Sequence, residues 1–225
     1  MLQKATLSFL KNLKANNTKE WMDANRTDYL SAKEDFEKFA EVMIPILGKS
    51  DPDIAQLKAK DCIFRINRDI RFSQNKAPYK TNMGWYIAKG GKKSPFAGYY
   101  CHIEPGQCFL AGGIWMPMPD VLKKVRQEID YNFDAFKKIV SHKKFKSTFG
   151  DLDRSEGYVL SRPPKGYDEN NPAIEYLKLK SFIAYVPIDD KLTTDKGLLK
   201  HVTTLCETLA PLIGFLNTAI GEADE

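Results

Sequence analysis

The segment from Arg65 to Lys80 combines a high density of charge with the alternation of a β-strand. Apolar side chains share one parity, which Arg68 alone interrupts: Cys62, Phe64, Ile66, Ile70 and Phe72. Polar side chains share the other: Arg65, Asn67, Asp69 and Arg71. Because successive side chains of a strand point to opposite faces, this pattern predicts a strand with one buried face and one polar face.

Turn-forming residues follow this predicted strand. Ser73, Gln74, Asn75 and Pro78 all favour turns, so the strand is expected to end after Phe72. Lys76, Tyr79 and Lys80 are then left near its carboxyl end.

Arginines on a rigid strand suit a ligand with paired oxygens, such as a carboxylate, a phosphate or a sulfate. A guanidinium group donates hydrogen bonds in a planar fork and stays charged. Neighbouring arginines should lower the pKa of Asp69, so we expect it to orient an arginine and not to accept protons. Alternatively, the arginines are solvated or paired with carboxylates from elsewhere in the fold. The predicted ligand-binding residues in this segment are Arg65, Arg68, Asp69, Arg71, Lys76, Tyr79 and Lys80.

The positive charge is local. The chain carries a net charge of +5, but residues 58–93 contain ten lysines and arginines against two acids, so this segment carries +8 and the remainder −3. One patch that attracts anions fits this distribution better than a uniformly basic coat for nucleic acid.

Composition excludes several classes of protein. With 225 residues and 43% hydrophobic residues, the chain is long and apolar enough to form a core. No segment approaches the roughly 20 apolar residues of a membrane span, and residues 1–17 lack the pattern of a signal peptide. Four cysteines and three histidines show no metal-binding spacing. We expect a cytoplasmic protein without a cofactor, a metal or a membrane partner.

Hydrophobic periodicity predicts a single α+β domain over residues 1–225, with an antiparallel sheet and helices before and after it. Its parts are N-terminal helices at 6–48, a sheet region at 61–116, and helices with a last strand at 119–220. Besides the charged segment, strands are predicted at 81–88, 98–104, 107–115 and 181–188. Helices are predicted at 6–13, around 21–29, and at 31–47, 120–129, 132–140, 173–179 and 195–220. Asn17 and Glu20 match a capping box, and an acidic tail follows from Gly221.

A second group of candidates lies on the predicted strand at 98–104. Tyr100, His102 and Glu104 share one parity. If they face the arginines, His102 and Glu104 could supply acid–base chemistry, and Tyr79 is a third candidate for proton transfer. A single histidine on a strand is, however, more often a hydrogen-bonded structural residue.

The stretch Ser161–Tyr167 contains two adjacent prolines, Pro163 and Pro164. Proline stiffens and extends the backbone, which would fix the directions of Arg162 and Lys165. Both are therefore added to the predicted ligand-binding residues.

These motifs resemble the signature of a bacterial and fungal family, domain-of-unknown-function family 2461. The resemblance rests on the Arg65–Phe72 pattern with Asn75, Lys76 and Tyr79, and on the stretches around Trp21, 99–115, 162–167 and 180–182. It implies a single α+β domain but no established activity. The signature residues therefore indicate where a site lies and not what happens there.

Three functions remain open on the sequence, and it does not decide whether the protein is an enzyme. The first is binding of an anionic small molecule, with or without catalysis. The second is nucleic-acid binding, because basic residues alternate with aromatic ones; the predicted burial of Phe64 and Phe72 argues against it. The third is a protein-interaction module with a basic face. The oligomeric state is likewise open.

Overall fold

In the computed structural model, which describes residues 1–221, the chain forms eleven helices and four strands. The helices are α1 Lys4–Ala15, α2 Lys19–Ala24, α3 Arg26–Leu47, α4 Pro52–Ala55, α5 Ala59–Cys62, α6 Pro119–Tyr131, α7 Phe133–Val140, α8 Lys143–Phe149, α9 Ile174–Leu177, α10 Asp190–Thr193 and α11 Leu198–Gly221. The strands are β1 Met83–Ala88, β2 Gly98–Ile103, β3 Phe109–Ile114 and β4 Phe182–Pro187. Residues 222–225 of the predicted acidic tail lie outside the described residues.

The strands form one antiparallel sheet in the order β1-β2-β3-β4, which confirms the predicted α+β class. The four strands predicted outside the charged segment are confirmed to within two residues at each end. Helices α4, α5, α8 and α10 were not predicted; three of them have only four residues, too few to show a helical period.

The chain divides into two compact units, each made of three segments. The first unit contains Met1–Lys92, Tyr100–Leu110 and Pro187–Thr203. The second contains Lys93–Tyr99, Ala111–Val186 and the chain from Thr204 onward. The boundaries of a single domain at residues 1 and 225 stay a prediction.

The core of the first unit lies where α3 meets β1. Phe39 of α3 contacts Trp85, which is fully buried, with 6.0 Å between ring centroids. Asp35, also on α3, is a buried acid that receives hydrogen bonds from the Gln3 backbone at 2.8 Å and from the Thr6 hydroxyl at 2.5 Å. It therefore ties the start of α1 to the middle of α3.

The second unit is built around aromatic contacts between helices. The ring of Phe136 on α7 lies 5.0 Å from Tyr176 and 5.3 Å from Phe215 on α11. By length and composition α11 could cross a membrane, yet half of its most apolar window is buried, as in the core helix of a globular protein. Gly113 is required where β3 meets β4, because its φ is 122° and a Cβ would lie 1.9 Å from the Phe182 carbonyl oxygen.

Candidate functional site

The charged segment is an irregular hairpin, so the predicted strand from Cys62 to Phe72 is wrong. Cys62 ends α5 instead. Beyond it the backbone pairs only intermittently: the Phe64 amide donates to Gly84 at 3.0 Å, the Lys80 amide to Ile66 at 2.8 Å, and the Arg68 amide to Pro78 at 2.9 Å. Isolated bridges at Ile63 and Asn67 replace a continuous ladder. We call residues 69–77, beyond the last of these bonds, the hairpin tip.

The predicted burial of Phe72 is also wrong, because its side chain is 94% exposed. The chain turns directly before it, where the Ser73 amide donates to the Ile70 carbonyl at 3.3 Å. Side-chain alternation requires a pleated strand, and the strand-like pairing ends before this turn. Ile66, within the paired part, is buried as predicted.

Two of the predicted ligand-binding cations make hydrogen bonds that hold the hairpin tip together. Arg68 donates to the Ala77 carbonyl at 3.2 Å and to the Ser73 hydroxyl at 3.3 Å. Lys76 donates to the Ile70 carbonyl at 3.1 Å. These bonds cross the tip, so both side chains act within the loop.

Asp69 and Arg71 form an exposed bidentate ion pair. The Arg71 guanidinium donates to the two carboxylate oxygens at 2.9 and 2.6 Å. The side-chain hydrogen bond from Arg71 is the largest cause of the lowered pKa of Asp69. Asp69 thus orients an arginine, as a carboxylate in this setting is expected to do.

Tyr79 is buried, and a side-chain amide holds its backbone. Asn17 donates from Nδ2 to the Tyr79 carbonyl at 3.0 Å and accepts from the Tyr79 amide at 3.1 Å. Asn17 therefore does not cap α2; the Thr18 hydroxyl does, accepting from the Trp21 amide at 3.2 Å. The capping box predicted for Asn17 is wrong, because its amide is used by Tyr79.

Arg65 and Lys80 are the two cations of the segment that have, among residues 1–221, neither an acid at ion-pair distance nor a side-chain hydrogen bond. The Lys80 ammonium lies 5.4 Å from the centre of the Phe64 ring. Burial lowers the pKa of Lys80, and the positive charge of Arg65 lowers it further. Two like charges are therefore held close to each other, one of them half-buried.

A row of three polar side chains, Tyr100, His102 and Glu104, lies on one face of β2 and directly after it. The Tyr100 phenol oxygen is 2.9 Å from His102 Nδ1, and His102 Nε2 is 3.4 Å from Glu104 Oε2. Glu104 Oε1 accepts from the Thr81 hydroxyl at 2.9 Å and from the Lys14 ammonium at 3.0 Å. We call these three residues the β2 row.

Burial and hydrogen bonds together set the pKa values of the β2 row. It raises the pKa of Tyr100 to about 12 and lowers the pKa of His102, although Glu104 opposes the second shift. Lys80 also lowers the pKa of His102, which places its charge within electrostatic range of the imidazole. For Glu104, burial favours a higher pKa, but hydrogen bonds from Lys14, Thr81 and His102 reverse this, and its pKa is lowered.

Neighbouring groups fix the orientation of the row. The His102 ring stacks on Phe109 of β3, with centroids 4.7 Å apart and planes at 15°. Asn82 Nδ2 lies 3.3 Å from His102 Nδ1. At Gly84 a Cβ would stand 3.0 Å from the Tyr100 hydroxyl, so the missing side chain makes room for the phenol.

The predicted ligand-binding residues are divided between the two units. Arg65 to Lys80 and the β2 row belong to the first unit, whereas Arg162 and Lys165 belong to the second, where both are exposed. Of the first group, Lys80 lies within electrostatic range of His102, and Arg65 lies within electrostatic range of Lys80. Within residues 1–221, no three His, Cys, Asp or Glu side chains gather in a way that could hold a metal ion.

The second unit has a cavity of about 540 Å³ that the sequence did not predict. It lies at the junction of α6 and α7 with the residues before α9, and Asp130 and Asp134 contribute to its wall. These acids make it unsuited to a negatively charged ligand.

The model of a family described as "Conserved hypothetical protein (DUF2461)" matches residues 5–215. The chain belongs to this family. The match covers nearly the whole length and includes both the hairpin and the β2 row, which confirms the resemblance predicted from the motifs. No curated protein and no solved structure matches the chain.

For this DUF2461 protein, the sequence placed Tyr100 on the same strand face as His102 and Glu104 but gave it no role, and it did not indicate Thr81 or Lys14. A signal existed for Tyr100, since it shares strand parity with His102 and Glu104. No local signal existed for Lys14, because its partner Glu104 is 90 residues away.

Proposed function

We propose that the first unit binds a small anionic molecule, bearing a phosphate or a carboxylate, at Arg65 and Lys80 beside the β2 row. The supporting observation is the position of Lys80. Its ammonium is half-buried next to a second cation, and no acid among residues 1–221 lies at ion-pair distance from either cation. An anion would neutralise both.

The proposal is narrower than the sequence prediction. Arg68 and Lys76 donate to backbone carbonyls of the hairpin tip, and Arg71 is paired with Asp69. These contacts leave Arg68, Arg71 and Lys76 fewer donors for a small ligand than Arg65 and Lys80 have. Arg65 and Lys80 have no such internal partners, so they are the cations most available to bind an anionic ligand.

The β2 row gives such a site acid–base capacity. His102 stays neutral near pH 7 because burial lowers its pKa, and it contacts both a phenol and a carboxylate. A neutral imidazole between these groups can accept or return a proton. We propose His102 as the proton-transfer group in any reaction of the bound anion.

Thermal unfolding in the presence of anions tests the binding. We would use orthophosphate, pyrophosphate, AMP and citrate at about 10 mM. A Kd near 1 mM then adds about 1.4 kcal/mol of stability, which raises Tm by roughly 3–5 °C in a protein of this size.

Lys80→Met keeps an unbranched apolar side chain and removes the charge, so it should abolish this increase. Lys38→Met is the matched control, because Lys38 is an exposed lysine paired with Glu34. If none of the four anions raises Tm, or if Lys80→Met responds as the natural protein does, the proposal is wrong.

We also propose a cytoplasmic location. Four cysteines within residues 1–221, Cys62, Cys101, Cys108 and Cys206, are buried thiols that form no disulfide. Free thiols are typical of a reducing compartment. Fractionation of cells that express the tagged protein tests this location.

A further inference from the structure

Phe72 is the most exposed of the large hydrophobic side chains among residues 1–221, at 94%. It does not stand on a loose loop. Arg68 and Lys76 donate hydrogen bonds across the hairpin tip, and Asn75 Oδ1 accepts from the Ala77 amide at 2.9 Å. The tip therefore holds an aromatic ring in water on an internally bonded loop. A partner can therefore bind this ring without a large entropic cost for ordering the loop.

The charges around this ring define the chemistry of what could cover it. The Arg71 guanidinium lies 5.7 Å from the centre of the Phe72 ring, and Lys76 is exposed on the same tip. The single carboxylate of the tip, Asp69, is already paired with Arg71. Arg71 uses two of its five N–H donors on Asp69, and Lys76 uses one of three, so both keep donors for a phosphate.

An exposed aromatic ring beside cations is complementary to single-stranded nucleic acid. Unpaired bases stack on exposed aromatic side chains while lysine and arginine contact the backbone phosphates. One ring is enough for one base. Attachment to a bilayer instead scales with the buried apolar area, and the tip offers one fully exposed apolar side chain. The bases of a duplex are stacked on each other and leave no free face.

We infer that the hairpin tip binds single-stranded nucleic acid, with Phe72 stacked on an unpaired base and with Arg71 and Lys76 against the neighbouring phosphates. This surface uses residues other than Arg65, Lys80 and His102. It therefore stands or falls independently of the proposed small-anion site.

Fluorescence anisotropy with labelled single-stranded DNA and RNA of about 12 nucleotides tests the inference. The full-length protein should bind at about 50 mM salt and lose roughly tenfold in affinity by about 200 mM, because two or three phosphate contacts release counterions. Phe72→Ala should weaken binding about tenfold, as expected for the loss of one stacked base. Phe72→Trp should bind about as tightly as the natural protein, because tryptophan can also stack on a base. The fluorescence of this tryptophan should be quenched when the oligonucleotide is added.

Tyr131→Ala is the matched control, because Tyr131 is an exposed aromatic residue of the second unit at 73%. It should bind as the natural protein does. The inference is overturned if the protein at 100 µM binds neither the DNA nor the RNA oligonucleotide, or if Phe72→Ala binds as tightly as the natural protein. It is also overturned if Tyr131→Ala loses as much affinity as Phe72→Ala does. Binding to phosphatidylserine vesicles without binding to oligonucleotides would also overturn it and assign the tip to a membrane surface.

Discussion

The phenol oxygen of Tyr100 lies 2.9 Å from Nδ1 of His102. Glu104 approaches the other ring nitrogen at 3.4 Å, so both nitrogens of this half-buried imidazole face protein groups. The carboxylate is the natural acceptor for Nε2–H, which leaves Nδ1 to accept from the phenol. This relationship between three side chains of the β2 row has consequences for stability as well as for proton transfer.

The first prediction concerns pH. Burial lowers the pKa of His102 in the folded protein below the unfolded value of about 6.5. Between these two values the unfolded chain binds more protons, so the free energy of unfolding should fall as the pH falls, by at most about 1.4 kcal/mol per pH unit. Urea denaturation at several pH values measures this slope.

His102→Gln should reduce the slope in this window. His201→Gln, a histidine change on α11, should keep it. A slope that His102→Gln leaves unchanged would show that another group causes the pH dependence.

The second prediction concerns the space above Gly84. Gly84→Ala should destabilise the protein by about 1–3 kcal/mol, because its Cβ would lie 3.0 Å from the hydroxyl and 3.1 Å from a ring carbon of half-buried Tyr100. The cost should be smaller in a Tyr100→Phe background, where the nearest atom is gone. Equilibrium denaturation of the four proteins gives this difference directly.

Gly214→Ala provides the control for the glycine change. It lies within α11, and a Cβ there would have no neighbour within 4 Å. We expect it to be neutral or to stabilise by up to about 1 kcal/mol. Equal destabilisation at Gly84 and Gly214 would contradict the steric explanation.

The third prediction separates two arginines of the charged segment. Arg68→Ala removes the bonds to Ala77 and Ser73, so amides of the hairpin tip should exchange with deuterium roughly tenfold faster or more. Arg71→Ala removes an exposed ion pair and should change exchange little. Hydrogen exchange resolved by mass spectrometry compares both with the natural protein; equal acceleration in both would refute the bracing role of Arg68.

The fourth prediction concerns the buried carboxylate of α3. Asp35→Ala leaves the Gln3 amide and the Thr6 hydroxyl without their acceptor, and should cost about 1–3 kcal/mol. Glu34→Ala, which removes an exposed partner of Lys38, should leave the denaturation midpoint unchanged. Similar midpoints for the two variants would mean that Asp35 is replaceable by water.

The strands β1, β2 and β4 were predictable because each carries an apolar period that its buried face satisfies. Trp85 and Ile87, for example, alternate with half-buried Tyr86. The same logic failed at Phe72, where alternation continues in the sequence after the backbone has stopped pairing. The alternation of apolar residues does not show where the last hydrogen bond between the paired segments lies. That position depends on where the chain turns, which here is at Ile70–Ser73.

The site was predictable in its residue types but not in its connections. His102 and Glu104 share a face because strand parity is a local property. Arg68 and Lys76 each donate to a backbone carbonyl, which every residue has, so no residue identity indicates these two bonds. The pairing of Lys14 with Glu104 depends on the tertiary fold.

The amide of Asn17 occupies both backbone groups of Tyr79, as an additional strand would. An extended segment with a free N–H and C=O is a template on which another chain can add by edge-to-edge pairing. One side chain therefore closes the outer margin of the hairpin, and Asn17→Ala would expose it to self-association and fibril-like growth.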